Sequence, residues 1–214
     1  RDRAGDGQPC MLLYTRFFEF PVSRVVEVLL RVRECVPQAQ LLVVGQGLFG
    51  EEEELFRLCA QAGLNVQREG VSLSPHLPLS LPAADVIYAG WAPPDTLPAC
   101  FARADVAIYP FDDTLVNRAK CAVKLMDLLA AGVPVVAEAV GQNREMIRHG
   151  ETGWLVEPGD AVSFADTVVQ LLEDAPLRAR LGQAAARDVR ERFAWERLVE
   201  TVERAYGVGG ERGD

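Results

Sequence analysis

The stretch MLLYTRFFEFPVSRVVEVLLRVRECVPQAQLLVVG, residues 11–45, decides the fold. MLLYT (11–15) is a short apolar run of strand length. VSRVVEVLLRVREC (22–35) repeats apolar side chains at helical spacing. AQLLVVG (39–45) is a second apolar run. Strand, helix and strand in this order predict a βαβ unit, with strands covered on both faces.

The same alternation continues outward. EEEELFRLCAQAG (51–63) predicts a helix with glutamates in its first turns, where the helix dipole favours them, and Gly63 at its end. Residues 65–85 contain three prolines and little period; they read as a short strand plus an insertion loop at about 68–84. VIYAG (86–90) is a strand, and PDTLPACFARA (94–104) a short helix capped by Asp95. DVAIYPF (105–111) is a strand, followed by a helix at about 118–131 that Gly132 and Pro134 end. PVVAE, QNREMIRHG and TGWLVEPGD read as strand, short helix, and strand with turn. Helices follow at 161–174, 176–192 and 195–206. Residues 1–10 read as a linker or the cut edge of a longer chain, and 207–214 as a flexible tail. The expectation is one α/β domain over 11–206, a doubly wound parallel sheet of Rossmann-like type.

Composition narrows the function. A net charge of −9 leaves no broad basic field for nucleic acid, although a local anion site is still allowed. The five cysteines are widely spaced with no C-x-x-C pair, which speaks against a disulfide framework or zinc site and fits a reducing, cytoplasmic setting. His76 and His149 are too few for a His-based metal site. No apolar run reaches the roughly 18 residues needed to span a bilayer.

The helix at 118–131 carries the chemistry. Lys120, Lys124 and Asp127 follow one another by four and three residues, so one helical face bears all three. The rest of that helix is apolar almost all round. It starts just after the C-terminal end of a strand, where open α/β sheets bind ligands. A lysine beside a helix N-terminus suits phosphate, and a carboxylate one or two turns on can accept hydrogen bonds from sugar hydroxyls. The alternative is a surface ion pair between Lys124 and Asp127, contributing about 0.2–0.5 kcal/mol.

GWAPPDTLPACFARADVAIYPF, then KLMDLLAAGVPVVAEAVGQNREMIRHGETGWLVEPGD and RFAWERLVETVERAY, together resemble the C-terminal half of a GT-B glycosyltransferase. The family is the family 4 group, glycosyl transferases group 1. The resemblance covers about residues 11–206 and is most specific over 86–160. It implies two Rossmann-like domains around a cleft, of which this chain is the half that binds the nucleotide-sugar donor. The acceptor-binding N-terminal half would lie outside this chain. The activity implied is retaining transfer of a hexose from a UDP- or GDP-sugar, with no cofactor or metal and no turnover without the missing half. Localisation would be cytoplasmic, with any membrane contact carried by that half.

Residue by residue, Arg16 matches an arginine that contacts the donor pyrophosphate. The lysine that usually follows is missing from FFEFPVS, and Lys124 or Lys120 could supply its charge. Asp127 stands at the second of two paired carboxylate positions, the one that holds the ribose. Ala119 falls at the first, which contacts the sugar, so Asn117 or Asp113 could take over. Ala122 and Val123 match a turn whose backbone N–H groups meet the phosphates. Gly45 and Gly47, in VVGQGLFG, and Trp91 match positions near the nucleotide; tight turns and loop packing are the plain alternatives. Trp195 would pack the last helix on the domain, and an exposed apolar face there would cross to the missing half. His149 would help end its helix. No residue stands out as a catalytic base. Two other functions stay open: a binding module that has lost catalysis and regulates a partner, and a GT-B sugar-nucleotide epimerase.

Overall fold

The computed structural model describes residues 8–68 and 81–207. The insertion loop falls mostly outside that range, as do His76, residues 1–7 and the tail from 208. The elements are β1 (Cys10–Tyr14), α1 (Val22–Cys35), β2 (Gln40–Val44), α2 (Glu51–Gln61), β3 (Val66–Gln67), β4 (Val86–Gly90), α3 (Leu97–Arg103), β5 (Val106–Tyr109), α4 (Leu115–Arg118), α5 (Val123–Ala130), β6 (Val135–Glu138), α6 (Asn143–Met146), β7 (Trp154–Val156), α7 (Ala161–Glu173), α8 (Ala175–Arg192) and α9 (Trp195–Ala205).

The described strands form one parallel sheet, ordered β3-β4-β2-β1-β5-β6-β7. Both faces are covered, which explains the unbroken apolar strands. Met11 and Leu13 of β1 enter one core with Val25, Leu29 and Val32 of α1 and Phe164 and Val168 of α7. Cys10 and Leu12 enter the other, with Leu125, Leu128 and Leu129 of α5 and Ala185 of α8. On that side α5 meets α8 closely: a Cβ on Gly182 would come 2.2 Å from the Gly132 carbonyl oxygen. From β1 the chain steps outward to β2 on one side and later to β5 on the other, so the strand order reverses at the β1/β5 crevice.

Three local expectations are corrected. The helix predicted at 118–131 is broken into α4 and α5, because Ala122 has non-helical backbone (φ −84°, ψ 60°) at the N-cap of α5. Thr114 caps α4 by accepting the Asn117 N–H at 3.2 Å. Asp95 does not cap α3; Thr96 occupies that position, and its hydroxyl donates to the Pro93 carbonyl at 2.7 Å. Trp195 does not pack α9 on the domain. It is 78% exposed, and no residue of α9 is buried. The expected apolar face of α9 is there, formed by Trp195, Leu198, Val199, Val202 and Tyr206.

Candidate donor site at the β1/β5 crest

The loop leaving β1 turns sharply. Thr15 Oγ1 accepts the Phe17 N–H at 2.8 Å. Phe17 is the non-glycine residue with left-handed backbone among those described, φ 71°, and it is buried. Such strain costs on the order of 1–3 kcal/mol and tends to accompany functional loops. The turn sets Glu19 beside Tyr14, Tyr109 and Lys124 at the ends of β1 and β5 and keeps Arg16 within electrostatic reach of Lys124. Gly45 supports the turn from β2. Its N–H donates to the Gly90 carbonyl at 2.7 Å, and a Cβ there would lie 1.8 Å from the Thr15 carbonyl oxygen.

From the β5 side, α4 is tied to the same loop. The Asn117 amide nitrogen donates to the Glu19 carbonyl at 2.8 Å and the Asp112 carbonyl at 2.9 Å. The Asp112 N–H donates to the Glu19 carbonyl at 2.8 Å. Lys120, in the turn between α4 and α5, reaches Glu19 Oε1 at 2.5 Å and lies 3.7 Å above the Phe18 ring. Lys120 is therefore off the α5 helix, yet near the cluster.

Lys124 and Asp127 project from α5. Neither finds an ion-pair or hydrogen-bond partner among the described residues, so the expected alternative of a surface pair between them is not formed. Lys124 Nζ stands 5.5 Å from the Tyr14 ring centre. Burial lowers its pKa, and the nearby Arg16 and Lys120 charges push the same way, opposed by Glu19 and Asp127. Burial raises the pKa of Asp127, with Lys124 opposing. Burial and the Asp127 charge raise the pKa of Tyr14. Two half-buried charges with no direct partner among the described residues are costly unless something else meets them.

Two of four buried unsatisfied polar atoms among the described residues, on Arg16 and Glu19, lie in the loop leaving β1. Arg16 Nε, Glu19 Oε2, Gln142 Oε1 and Asn143 Oδ1 are buried without a hydrogen-bond partner among the described residues. All four lie just beyond the C-terminal ends of β1 and β6. Beneath them Glu138, fully buried, locks the scaffold. It accepts Arg24 on both oxygens (3.0 and 2.9 Å), the Phe111 N–H at 2.5 Å and the Gly159 N–H at 2.7 Å. Arg24 also pairs with Asp112 at 2.7 Å.

The structure thus brings Arg16, Lys120, Lys124 and Asp127 together, with Ala122 buried at the start of α5. Other expected ligands are engaged elsewhere. The Val123 N–H is bonded to the Cys121 carbonyl at 3.0 Å. Asn117 is buried and holds two carbonyls, so its amide nitrogen is structural. Asp113 pairs with Arg118 through both oxygens, at 2.5 and 2.8 Å. The Gly47 and Phe49 N–H groups are taken by Glu52 and Glu51, at 3.1 and 2.8 Å, so the glycine loop is filled by the protein's own carboxylates. Gly45 serves backbone packing. Trp91 is exposed beyond β4. His149 does not end α6; its Nδ1 accepts the Leu155 N–H at 3.2 Å. Glu19, Tyr14 and Glu138 were not singled out by sequence. An acid ending the apolar run PVVAE was the available signal for Glu138.

The architecture is a doubly wound α/β domain with a half-buried cation–carboxylate set at its switch point, where open parallel sheets bind ligands. The family model for glycosyl transferases group 1 matches residues 16–174, and the chain belongs to that family. It is 33% identical over 185 residues to a phosphatidyl-myo-inositol mannosyltransferase of Mycobacterium leprae, covering 86% of this chain and 42% of that protein. The chain therefore spans less than half the length of that relative. It superimposes on Anabaena Alr3699/HepE, solved with UDP-glucose, with a TM-score of 0.70 at 21% identity over 94% of this chain and 49% of that one. It also matches the C-terminal domain of a group 1 glycosyl transferase, LpcC of Francisella tularensis, with a TM-score of 0.64 at 19% identity over 88% of each chain. At these identities the structural likeness is one of fold, the GT-B Rossmann-like half. No helix among the described residues is long and apolar enough to cross a membrane.

Proposed function

We propose that this chain is the donor-binding half of a retaining glycosyltransferase and holds a nucleoside-diphosphate sugar at the β1/β5 crest. The observation that carries the reading is the pair Lys124 and Asp127, close on α5, half-buried and in no ion pair or hydrogen bond among the described residues, near the loop that bears Arg16. Arg16 and Lys124 receive the diphosphate, the guanidinium as a planar fork and the ammonium as a point charge. Asp127 accepts hydrogen bonds from the ribose hydroxyls. When the sugar departs, negative charge grows on the leaving diphosphate. Two preorganised cations in a partly dry site stabilise it there, and this is the chain's contribution to the rate. The acceptor is supplied by the other half, so the isolated chain binds donor without turning it over. The Anabaena relative in fold was solved with UDP-glucose, which supports a UDP-sugar as the first donor to try.

A second reading, a nucleotide-binding module without sugar transfer, draws on Ala119, whose methyl group offers the sugar nothing, and on the structural engagement of Asn117.

The test is calorimetric titration with UDP, GDP and ADP. The donor-site reading expects one diphosphate to be preferred, and Asp127→Ala to weaken it about tenfold or more. Equal binding by wild type and Asp127→Ala would remove Asp127 from the site.

A further inference from the structure

Two buried carboxylates in this chain behave differently. Glu138 uses both oxygens and accepts Arg24 and two backbone N–H groups. Glu19 has its side chain 9% exposed, yet only Oε1 is engaged, by Lys120. Oε2 is buried and has no partner among the described residues. A buried acceptor left unmade is unfavourable, so a scaffold carboxylate is ordinarily satisfied as Glu138 is.

The position of Glu19 shows what it faces. It lines a small space of about 10 Å³ with Tyr14, Thr15, Tyr109 and Lys124, between the ends of β1 and β5. That volume admits a single water or one hydroxyl oxygen. The main chain of Glu19 is fixed by Asn117 and Asp112, and one oxygen by Lys120, so the carboxylate cannot swing away freely. A phosphate oxygen would be repelled by it. Lys124 shares that space and feels the Glu19 charge but does not bond Oε2, which leaves that oxygen open to a hydrogen-bond donor from a ligand beside the cations.

We propose that Glu19 is a specificity-determining residue of this site, which accepts a hydrogen bond from a hydroxyl of the donor's sugar, directly or through one water. This rests on the donor-site reading above and assigns the sugar-facing carboxylate to the β1–α1 loop. It divides the crest between cations for the diphosphate, Asp127 for the ribose and Glu19 for the sugar.

The experiment compares bare nucleotides with their sugar conjugates: UDP against UDP-glucose, and GDP against GDP-mannose. Affinities are measured for wild type, Glu19→Gln and Lys120→Met, with thermal melting as a folding control. Glu19→Gln is expected to weaken the sugar conjugate about tenfold while leaving the bare diphosphate within about twofold, because one charge-assisted hydrogen bond is lost. Lys120→Met, which loosens Glu19 without removing it, is expected to reduce the preference for the conjugate less than Glu19→Gln does; a loss as large as that of Glu19→Gln would count against a direct role for Glu19 and overturn the proposal. Equal losses for conjugate and bare nucleotide in Glu19→Gln would make Glu19 a structural partner of Lys120 and overturn the proposal. Binding of the bare diphosphate by wild type with no gain from the sugar would overturn it too, while leaving the donor-site reading standing. Failure of wild type to bind any nucleotide would overturn both.

Discussion

Lys124 and Asp127 stand three residues apart on α5, feel each other's charge, and form no ion pair. Here burial presses on both groups, and at Lys124 the Arg16 and Lys120 charges add to it while Glu19 and Asp127 oppose it.

A consequence concerns Asp127 and stability. Its folded pKa is raised above the ordinary 3.8 by burial. Between 3.8 and that raised value the folded chain binds more protons than the unfolded chain, so stability falls as pH rises through the window. At neutral pH the ionised carboxylate is therefore a net cost. Asp127→Asn is expected to raise the melting temperature at pH 7 while weakening nucleotide binding. Melting curves and titrations on the same preparation check it; a lower melting temperature would mark Asp127 as a stabilising group.

Lys124 behaves in the opposite sense. Its pKa is lowered from 10.5 by burial and by Arg16 and Lys120. Between the lowered value and 10.5 the unfolded chain holds more protons, so folding stability rises with pH through that window. Anion binding runs the other way, because Lys124 loses its charge there. Affinity for a nucleoside diphosphate is expected to decline as pH rises, beginning below 10.5, and Lys124→Met is expected to remove that decline. Titrations across alkaline pH on both proteins decide it.

The Arg24–Glu138 pair should matter for the whole crest. Removing one partner of a buried pair leaves the other uncompensated and costs about 3–5 kcal/mol. Glu138→Gln also loosens Phe111 and Gly159, whose N–H groups it holds. Urea denaturation is expected to show a loss of that size, with weaker nucleotide binding in the residual folded protein. A loss under about 1 kcal/mol would mean Arg24 finds full compensation in Asp112.

Much of this was legible before the structure. The strands MLLYT, QLLVV and VVAE are apolar because both sheet faces are covered, and α1 follows its valine and leucine spacing residue by residue. What periodicity hid was tertiary. Residues 119–122 read as helix, but Asn117 binds the backbone of Glu19, far away in sequence, and the chain turns at Lys120. Asn117 and Asp113 were plausible ligands by type alone; their partners, carbonyls and Arg118, appear only once the chain is folded. Glu19 passed unnoticed because nothing in FFEFPVS distinguishes a buried acid from an exposed one. The apolar face of α9 was readable from its pattern, whereas the exposure of Trp195 depended on what the helix packs against.

The most direct test of the central claim is a crystal structure of this chain with UDP bound. The diphosphate is expected within hydrogen-bonding distance of Arg16 and Lys124, with the ribose hydroxyls on Asp127. A nucleotide bound with its phosphates away from the β1/β5 crest, or with Lys124 and Asp127 untouched, would contradict it.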